Sequence, residues 1–594
     1  MARLGPLFRS AQELVTELGV QGLRGLPGPP LPVQLQLGED DAVTISLLVT
    51  LPAGDSGSHA RILSNLEEHG FRVTTWAGRV AAGYANVYDA DALEKVEDDL
   101  FIEAARAVYP ELDVSVPEAW NLPAGWSGST PGGSDVVIGI VDLGIDPAHP
   151  SLRTATGSTR ILKLWDQRKP GAAPPSIPRP YGSEWDQRDI DKHLSTGAKL
   201  PARISQHGTA VAGVAASNGL GAPAGRYVGV APDADLVVVA LNASSSNFAA
   251  TNNVIDAIDY VFRVADALGK RAVVNLSQGD QLGSHDSTGE LEQGISGLLV
   301  GDDHRIVVTS MGNLGQAGAH ARLLVPDDGS TDVKIDVPDN VGPFVIADVW
   351  FDVADTLGVQ VIDPAGHNSS NVEYDMGYQE RLGSDNCRIR FVPNVPHVGD
   401  NKVQIELTTV HHLGDVSAGA WTLRLTGRHV PSGQPVHGWL TRGKIASASF
   451  TAPHADPDCT ATAPAAADEI LPVGAYSGSG KLYSLSGRGP DRRGRALAGL
   501  AAPGDPVMSC MADPFYPASA HVSDSGTSYA AAHVAGAVAV LLQAQPTLTR
   551  KQVLDCLLRN ARADADTVAG PTTGWGTGKL DIHAALRCAT GNAI

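Results

Sequence analysis

A chain of 594 residues exceeds what one core organises, and 43% apolar with 18% charged residues is an ordinary globular composition. Its formal charge of −21 weighs against nucleic acid or an anionic membrane as the main partner. No run of roughly 18 apolar residues occurs, and the opening MARLGPLFRSAQELVTELG lacks the apolar stretch and cleavage site of a secretory signal. No membrane partner is therefore read, and a cytoplasmic location is expected. The five cysteines, Cys387, Cys459, Cys510, Cys556 and Cys588, are widely spaced and lack metal-ligand spacing, so they read as reduced structural thiols.

In chain order, residues 1–40 are a short amphipathic stretch and a proline-rich linker, GLPGPPLPVQLQLGED. Residues 41–120 read as a small α+β domain. VTISLLVTL (43–51) suits a strand, and HARILSNLEEHG (59–70) a helix ending at Gly70. FRVTTWAGRVAAGYANV (71–87) suits one or two strands, DADALEKVEDD (89–99) a helix capped by Asp89 or Asp91, and FIEAARAVY (101–109) a last strand. That order is a split βαβ arrangement. The loop NLPAGWSGSTPGGSD (121–135) marks a boundary.

Beyond it the texture changes. VVIGIVD (136–142), LVVVAL (236–241), AVVNLS (272–277) and RIVVTSMGN (305–313) are continuous apolar runs, the sign of strands buried on both faces. Helical patterns lie between them, so a parallel α/β sheet is expected over 126–320. Residues 321–455 alternate apolar and polar residues, as in DVKIDV, NKVQIEL and WTLRL, which predicts an inserted antiparallel β-sandwich. The α/β texture resumes over 456–594.

Chemistry-bearing residues sit at element ends. VVIGIVD delivers Asp142, HGTAVAGVAA begins with His207, VVTSMGN ends in Asn313, and SDSGTSYAAAHVAG places Ser528 at a helix start. Acyl transfer needs a hydroxyl, an imidazole to take its proton, a carboxylate to orient the imidazole, and donors for the oxyanion. Each residue alone has a plainer role: a strand-end turn, a structural histidine, a helix cap. It is their joint occurrence, in order, that carries weight.

These motifs resemble the subtilisin-like serine proteases (subtilases). The resemblance rests on IVDLGIDPAHPSL (140–152), HGTAVAGVAA (207–216), VVTSMGN (307–313) and GTSYAAAHVAGAVAVLL (526–542). GVAPDADLVVV, VVNLSQG, LAAPG and GWGTGKLD support it, and the order Asp, His, Ser is that of subtilisin. It implies that Asp142 orients His207, that His207 serves Ser528 as base and the leaving amine as acid, and that Asn313 with the Ser528 amide binds the oxyanion. The strand NLSQG, with Ser277 and Gly279, would bind a protein or peptide substrate edge-on. His149 and His533 belong to the motifs but read as structural.

Three positions depart from the family pattern: Leu143 where Ser or Thr is usual, Tyr529 in place of Met, and Ala532 in place of Pro. Residues 160–191, with two WDQ triplets, resemble an insert of the clostridial spore-germination proteases, a subgroup that also carries an inserted jelly roll. Trp165 and Trp185 read as anchors of a surface loop. Residues 41–120 would be a propeptide acting in cis, its tail (107–120) threading the cleft and cut between 103 and 125. The resemblance requires no cofactor. Calcium is common in subtilases, but no acidic loop here has recognisable ligand spacing, so no metal ligand is assigned. A pseudoprotease would be expected to have lost part of the triad, which is intact, and a structural role rests on the size of the sandwich alone.

Overall fold

The computed structural model describes residues 3–4, 12, 15–16, 35–37 and 42–591. Within the last range it leaves out 53, 78–79, 98–99, 105–111, 124–128, 169, 178–180, 223–225, 243–250, 396–397, 410–413, 444–445, 498, 513–520 and 571. Two compact units result, Met1–Tyr109 and Pro110–Ile594.

In the first unit, Val43–Thr50 pairs antiparallel with Val80–Asn86 on one side and Phe101–Ala104 on the other, and Arg72–Ala77 extends the sheet beyond Val80–Asn86. Val43, Ile45, Leu47 and Val49 alternate into the core, meeting Ile62, Leu63 and Leu66 of the helix Ser56–Glu68. That helix starts earlier than the apolar period suggests because Asp55 caps it, accepting the Ser58 amide at 2.8 Å. DADALEKVEDD gives one α turn only, Ala90–Leu93. Its C-terminal side carries acids, which the negative end of a helix disfavours. Residues 105–109 of the expected last strand lie outside the described residues.

The second unit is organised by an eight-stranded sheet in the order Leu500–Asp505, Leu471–Ser477, Ile306–Ser310, Arg271–Leu276, Val136–Asp142, Asp235–Ala240, Ile161–Asp166, Ser183–Asp186, with only the last strand antiparallel. The apolar runs are continuous because alternate residues serve different cores. Ile138, Ile140, Val238 and Val308 pack with the helices Gln206–Ala216 and Thr527–Ala544. Val137, Val141, Val239 and Val274 pack with Thr251–Leu268 and Glu290–Leu299. Thr527–Ala544 is long and apolar enough to cross a membrane, but it is buried inside the α/β core.

Three expectations are corrected here. Trp165 does not anchor a surface loop. It is fully buried on the strand Ile161–Asp166, its ring tilted 50° against Tyr260 with centres 5.0 Å apart, and the insert widens the sheet by two strands. Residues 112–120 are no extended tail but the helix Leu112–Trp120, whose Val116, Ala119 and Trp120 join the α/β core. Cys556 and Cys588 form a disulfide. They are 32 residues apart, but their helices, Arg550–Arg559 and Ile582–Thr590, are neighbours, bringing the Cα atoms to 5.6 Å. Cys387, Cys459 and Cys510 are free and buried.

Residues 320–450 leave the sheet after Ile306–Ser310 and return before its neighbour Leu471–Ser477. They form two antiparallel sheets around one core, with Val333, Ile335, Val403, Ile405, Leu423 and Leu425 facing inward. The junction with the α/β part is polar and tightly knit. Asp286 and Asp400 each bind Arg492 and Arg493 at 2.7–3.1 Å, and His285 stacks flat on Trp439 at 4.1 Å.

Candidate active site

In a parallel sheet, polar residues that end strands gather along one edge. Asp142 closes the strand Val136–Asp142 and is fully buried. His207 is the second residue of Gln206–Ala216, a helix capped by Ser205. Its Nδ1 lies 2.7 Å from Asp142 Oδ2. The other carboxylate oxygen takes the Leu143 amide at 2.7 Å, and the Gln278 side chain approaches Oδ2 at 3.4 Å. A backbone amide thus supports the carboxylate where Leu143 has no hydroxyl to offer. Because a carboxylate only accepts, the imidazole proton sits on Nδ1 and Nε2 carries the lone pair. One third of the His207 side chain is exposed (33%), enough to meet a substrate.

Burial opposes a charge on this ring. The charge and hydrogen bond of Asp142, aided by Asp524, outweigh burial and an opposing Arg442, so His207 titrates above the ordinary histidine value.

Ser528 is the second residue of the helix Thr527–Ala544 and is 6% exposed, where free helix N–H groups converge. No hydrogen bond joins its hydroxyl to His207 among the described residues. The two are neighbours through Tyr529, whose ring centre is 6.1 Å from the imidazole. In ligand-free sites this contact often closes only with substrate bound. Ser277 Oγ donates to the Ser528 carbonyl at 3.2 Å and accepts from Asn275 Nδ2 at 2.9 Å. Its hydroxyl therefore ties the strand Arg271–Leu276 to the serine helix, and only its backbone is left for an extended chain. Gly279 marks a close approach, since a Cβ there would stand 2.5 Å from Thr462 Oγ1.

Asn313 follows the strand Ile306–Ser310. Its Oδ1 accepts both the amide and the hydroxyl of Thr527, which turns Nδ2 into the available donor. A Cβ on Gly526 would lie 3.1 Å from that nitrogen, so the glycine makes room for the asparagine. Two residues escaped sequence reasoning. Thr527 orients Asn313, and Asp524, exposed on the strand His521–Asp524, accepts the Tyr529 hydroxyl at 2.6 Å. The change from Met to Tyr at 529 was the available signal, because a buried phenol needs a hydrogen-bond partner.

His149 and His533 keep the structural roles expected of them. His149 takes the Ser151 amide at 3.2 Å, and His533 spans Tyr529 O and Ser115 Oγ at 2.8 and 3.1 Å. Among the described residues, two His/Cys groups are close enough to share an ion: His149, Cys510 and His521, and His320, His437 and Cys459. In the first, the Ser151 amide occupies His149 Nδ1 and fixes the tautomer that protonates Nε2, against the usual outer contact of a metal-bound histidine. In the second, His320 Nε2 and His437 Nδ1 hydrogen-bond to each other at 2.9 Å between stacked rings 14° apart, so each ring already uses a nitrogen on the other, and burial disfavours a charge on both. Both read as packing.

A sequence profile of the subtilase family matches residues 133–385 and 438–578. The PII-type proteinase of Lactococcus lactis subsp. cremoris is 27% identical over 264 residues, 43% of this chain but only 13% of its own length. The minor extracellular protease Vpr of Bacillus subtilis (strain 168) is 25% identical over 532 residues, 86% of this chain and 58% of its own length. The chain thus spans less than two thirds of either relative. Among solved structures, the CspB protease of Clostridium perfringens superposes with a TM-score of 0.70 over 80% of this chain and 97% of its own, at 22% identity, a likeness of fold. With the profile covering most of the α/β unit, the chain belongs to the subtilase family.

Proposed function

We propose that this chain is a serine endopeptidase acting on protein or peptide substrates through an acyl-enzyme. The Ser528 oxygen attacks the scissile carbonyl carbon while its proton passes to His207 Nε2. Asn313 Nδ2 and the Ser528 amide receive the oxyanion, and Asp142 stabilises the imidazolium. Collapse breaks the C–N bond, the amine leaves with the proton from His207, and water then repeats the sequence to free the acid. The substrate lies extended along 275–279, bonding through backbone groups to the segment of Ser277 and Gly279. The 2.7 Å contact of His207 with a fully buried Asp142, beside the start of the serine helix, carries this reading. Hydrolysis of denatured casein by the wild type and by Ser528→Ala tests it. Turnover should be lost in the variant, and equal turnover would refute the assignment.

The N-terminal unit acts as a propeptide in cis, removed by self-cleavage between 103 and 125. Its βαββαβ order and the family resemblance support this. Helix Leu112–Trp120 sits within that window, and helical backbone is a poor protease substrate, so the cut bond flanks it. Masses of wild type and Ser528→Ala after expression check this: a shortened wild type and an intact variant are expected, and full-length masses for both would count against it.

A further inference from the structure

The site has two sides, and their charge differs. Asn313 and Ser277 reach Ser528 from the strands Ile306–Ser310 and Arg271–Leu276, which is the side of the acyl half and the oxyanion. On the other side, the paired strands Val507–Cys510 and His521–Asp524 lie against the start of the His207 helix. There Gln206 donates to Cys510 O at 3.3 Å and accepts the Ala512 amide at 2.8 Å. Because the leaving amine takes its proton from His207, the half of the substrate after the cut departs over this second side.

Asp524 ends that pair of strands, four residues before Ser528, and its side chain is exposed. Both its oxygens are fixed, Oδ1 by the Ser525 amide at 2.8 Å and Oδ2 by the Tyr529 hydroxyl at 2.6 Å. The Tyr529 ring in turn lies beside the His207 imidazole, tilted 50° to it with centres 6.1 Å apart. No ion pair involves Asp524 among the described residues. The carboxylate is therefore anchored by neutral donors, and it lies close enough to the His207 imidazole to favour that ring's charged form. Two hydrogen bonds remove the rotamer freedom that usually makes an exposed charge a poor discriminator.

We propose that Asp524 is a specificity residue that selects substrates with a basic side chain immediately after the scissile bond. This rests on the serine endopeptidase reading above. A Lys or Arg at that position meets a fixed carboxylate across the cleft, whereas an Asp or Glu meets like charge and is rejected.

The test uses the full chain and matched fluorogenic peptides that differ only in the residue after the cut: Lys, Ala or Glu. The expected kcat/KM order is Lys, Ala, Glu, with about a tenfold span from Lys to Glu, the combined effect of one partly screened attraction and one repulsion. Asp524→Asn keeps an acceptor for Tyr529 and should bring the span to within about twofold, and raising salt should narrow the wild-type span. Turnover of all three peptides with a span under twofold, or a span unchanged in Asp524→Asn, overturns this inference and leaves the peptidase reading standing. No turnover of any peptide, or of casein, by a folded wild type overturns the peptidase reading and this inference with it.

Discussion

Thr527 holds Asn313 by two hydrogen bonds, its amide and its hydroxyl both donating to Oδ1, at 2.9 and 3.1 Å. The residue before the proposed nucleophile therefore sets the direction of the Asn313 amide, the proposed oxyanion donor. Removing the donor itself, in Asn313→Ala, should lower kcat by about 10²–10³ with little change in KM. Thr527→Val keeps the amide bond and loses the hydroxyl, so a loss of about tenfold in kcat is expected. A Thr527→Val enzyme with unchanged kcat would show that the amide alone suffices.

The pH dependence follows from His207. Its folded pKa lies above the ordinary value of about 6.5, and only the neutral ring can act as base. The acid limb of kcat/KM should accordingly have its midpoint above pH 6.5. Asp142 and Asp524 raise this value and Arg442 lowers it. Asp524→Asn should move the limb to lower pH and Arg442→Gln to higher pH. A limb unmoved by Asp524→Asn would mean that its charge does not reach the imidazole.

Much of this site is legible in the sequence because its residues occupy element ends. A strand of VVIGIVD must stop at its carboxylate, and GTS followed by alanines must begin a crowded helix. What stays hidden are relationships between segments. Asp524 and Tyr529 are five residues apart, but they pair only because a strand ends and a helix begins between them. Trp165 sits in a stretch interrupted by prolines that looks like a loop, and only pairing with Asp235–Ala240 makes it core. Cys556 and Cys588 have no diagnostic spacing; the packing of two helices joins them.

That disulfide closes a loop with a sequence separation of 32, so its removal should cost about 2–4 kcal/mol. Urea unfolding of Cys588→Ser without reductant checks this. Reductant should lower the midpoint of the wild type and leave the variant unchanged.

Acid should destabilise the chain before ordinary carboxylates titrate. Burial lowers His285 and His533 to about 4, His320 to about 3 and His437 to about 2. The unfolded chain takes up protons at these sites near pH 6.5, where the folded chain does not. Their contribution is thus present above 6.5 and lost as pH falls toward the folded values. Glu292, raised to about 7 by burial, and His207 act in the opposite sense and offset part of this loss. Urea midpoints should begin to fall between pH 6.5 and 5. Midpoints flat down to pH 4.5 would contradict neutral burial of these rings.

The proposed relay from Asp142 through His207 to Ser528 is tested most directly by labelling the intact chain with a fluorophosphonate and mapping the modified peptide. Modification of Ser528 is expected in the wild type, none in Ser528→Ala, and labelling slowed at least about a hundredfold in His207→Ala. Equal labelling of the wild type and Ser528→Ala, or of the wild type and His207→Ala, would contradict an activated hydroxyl at position 528.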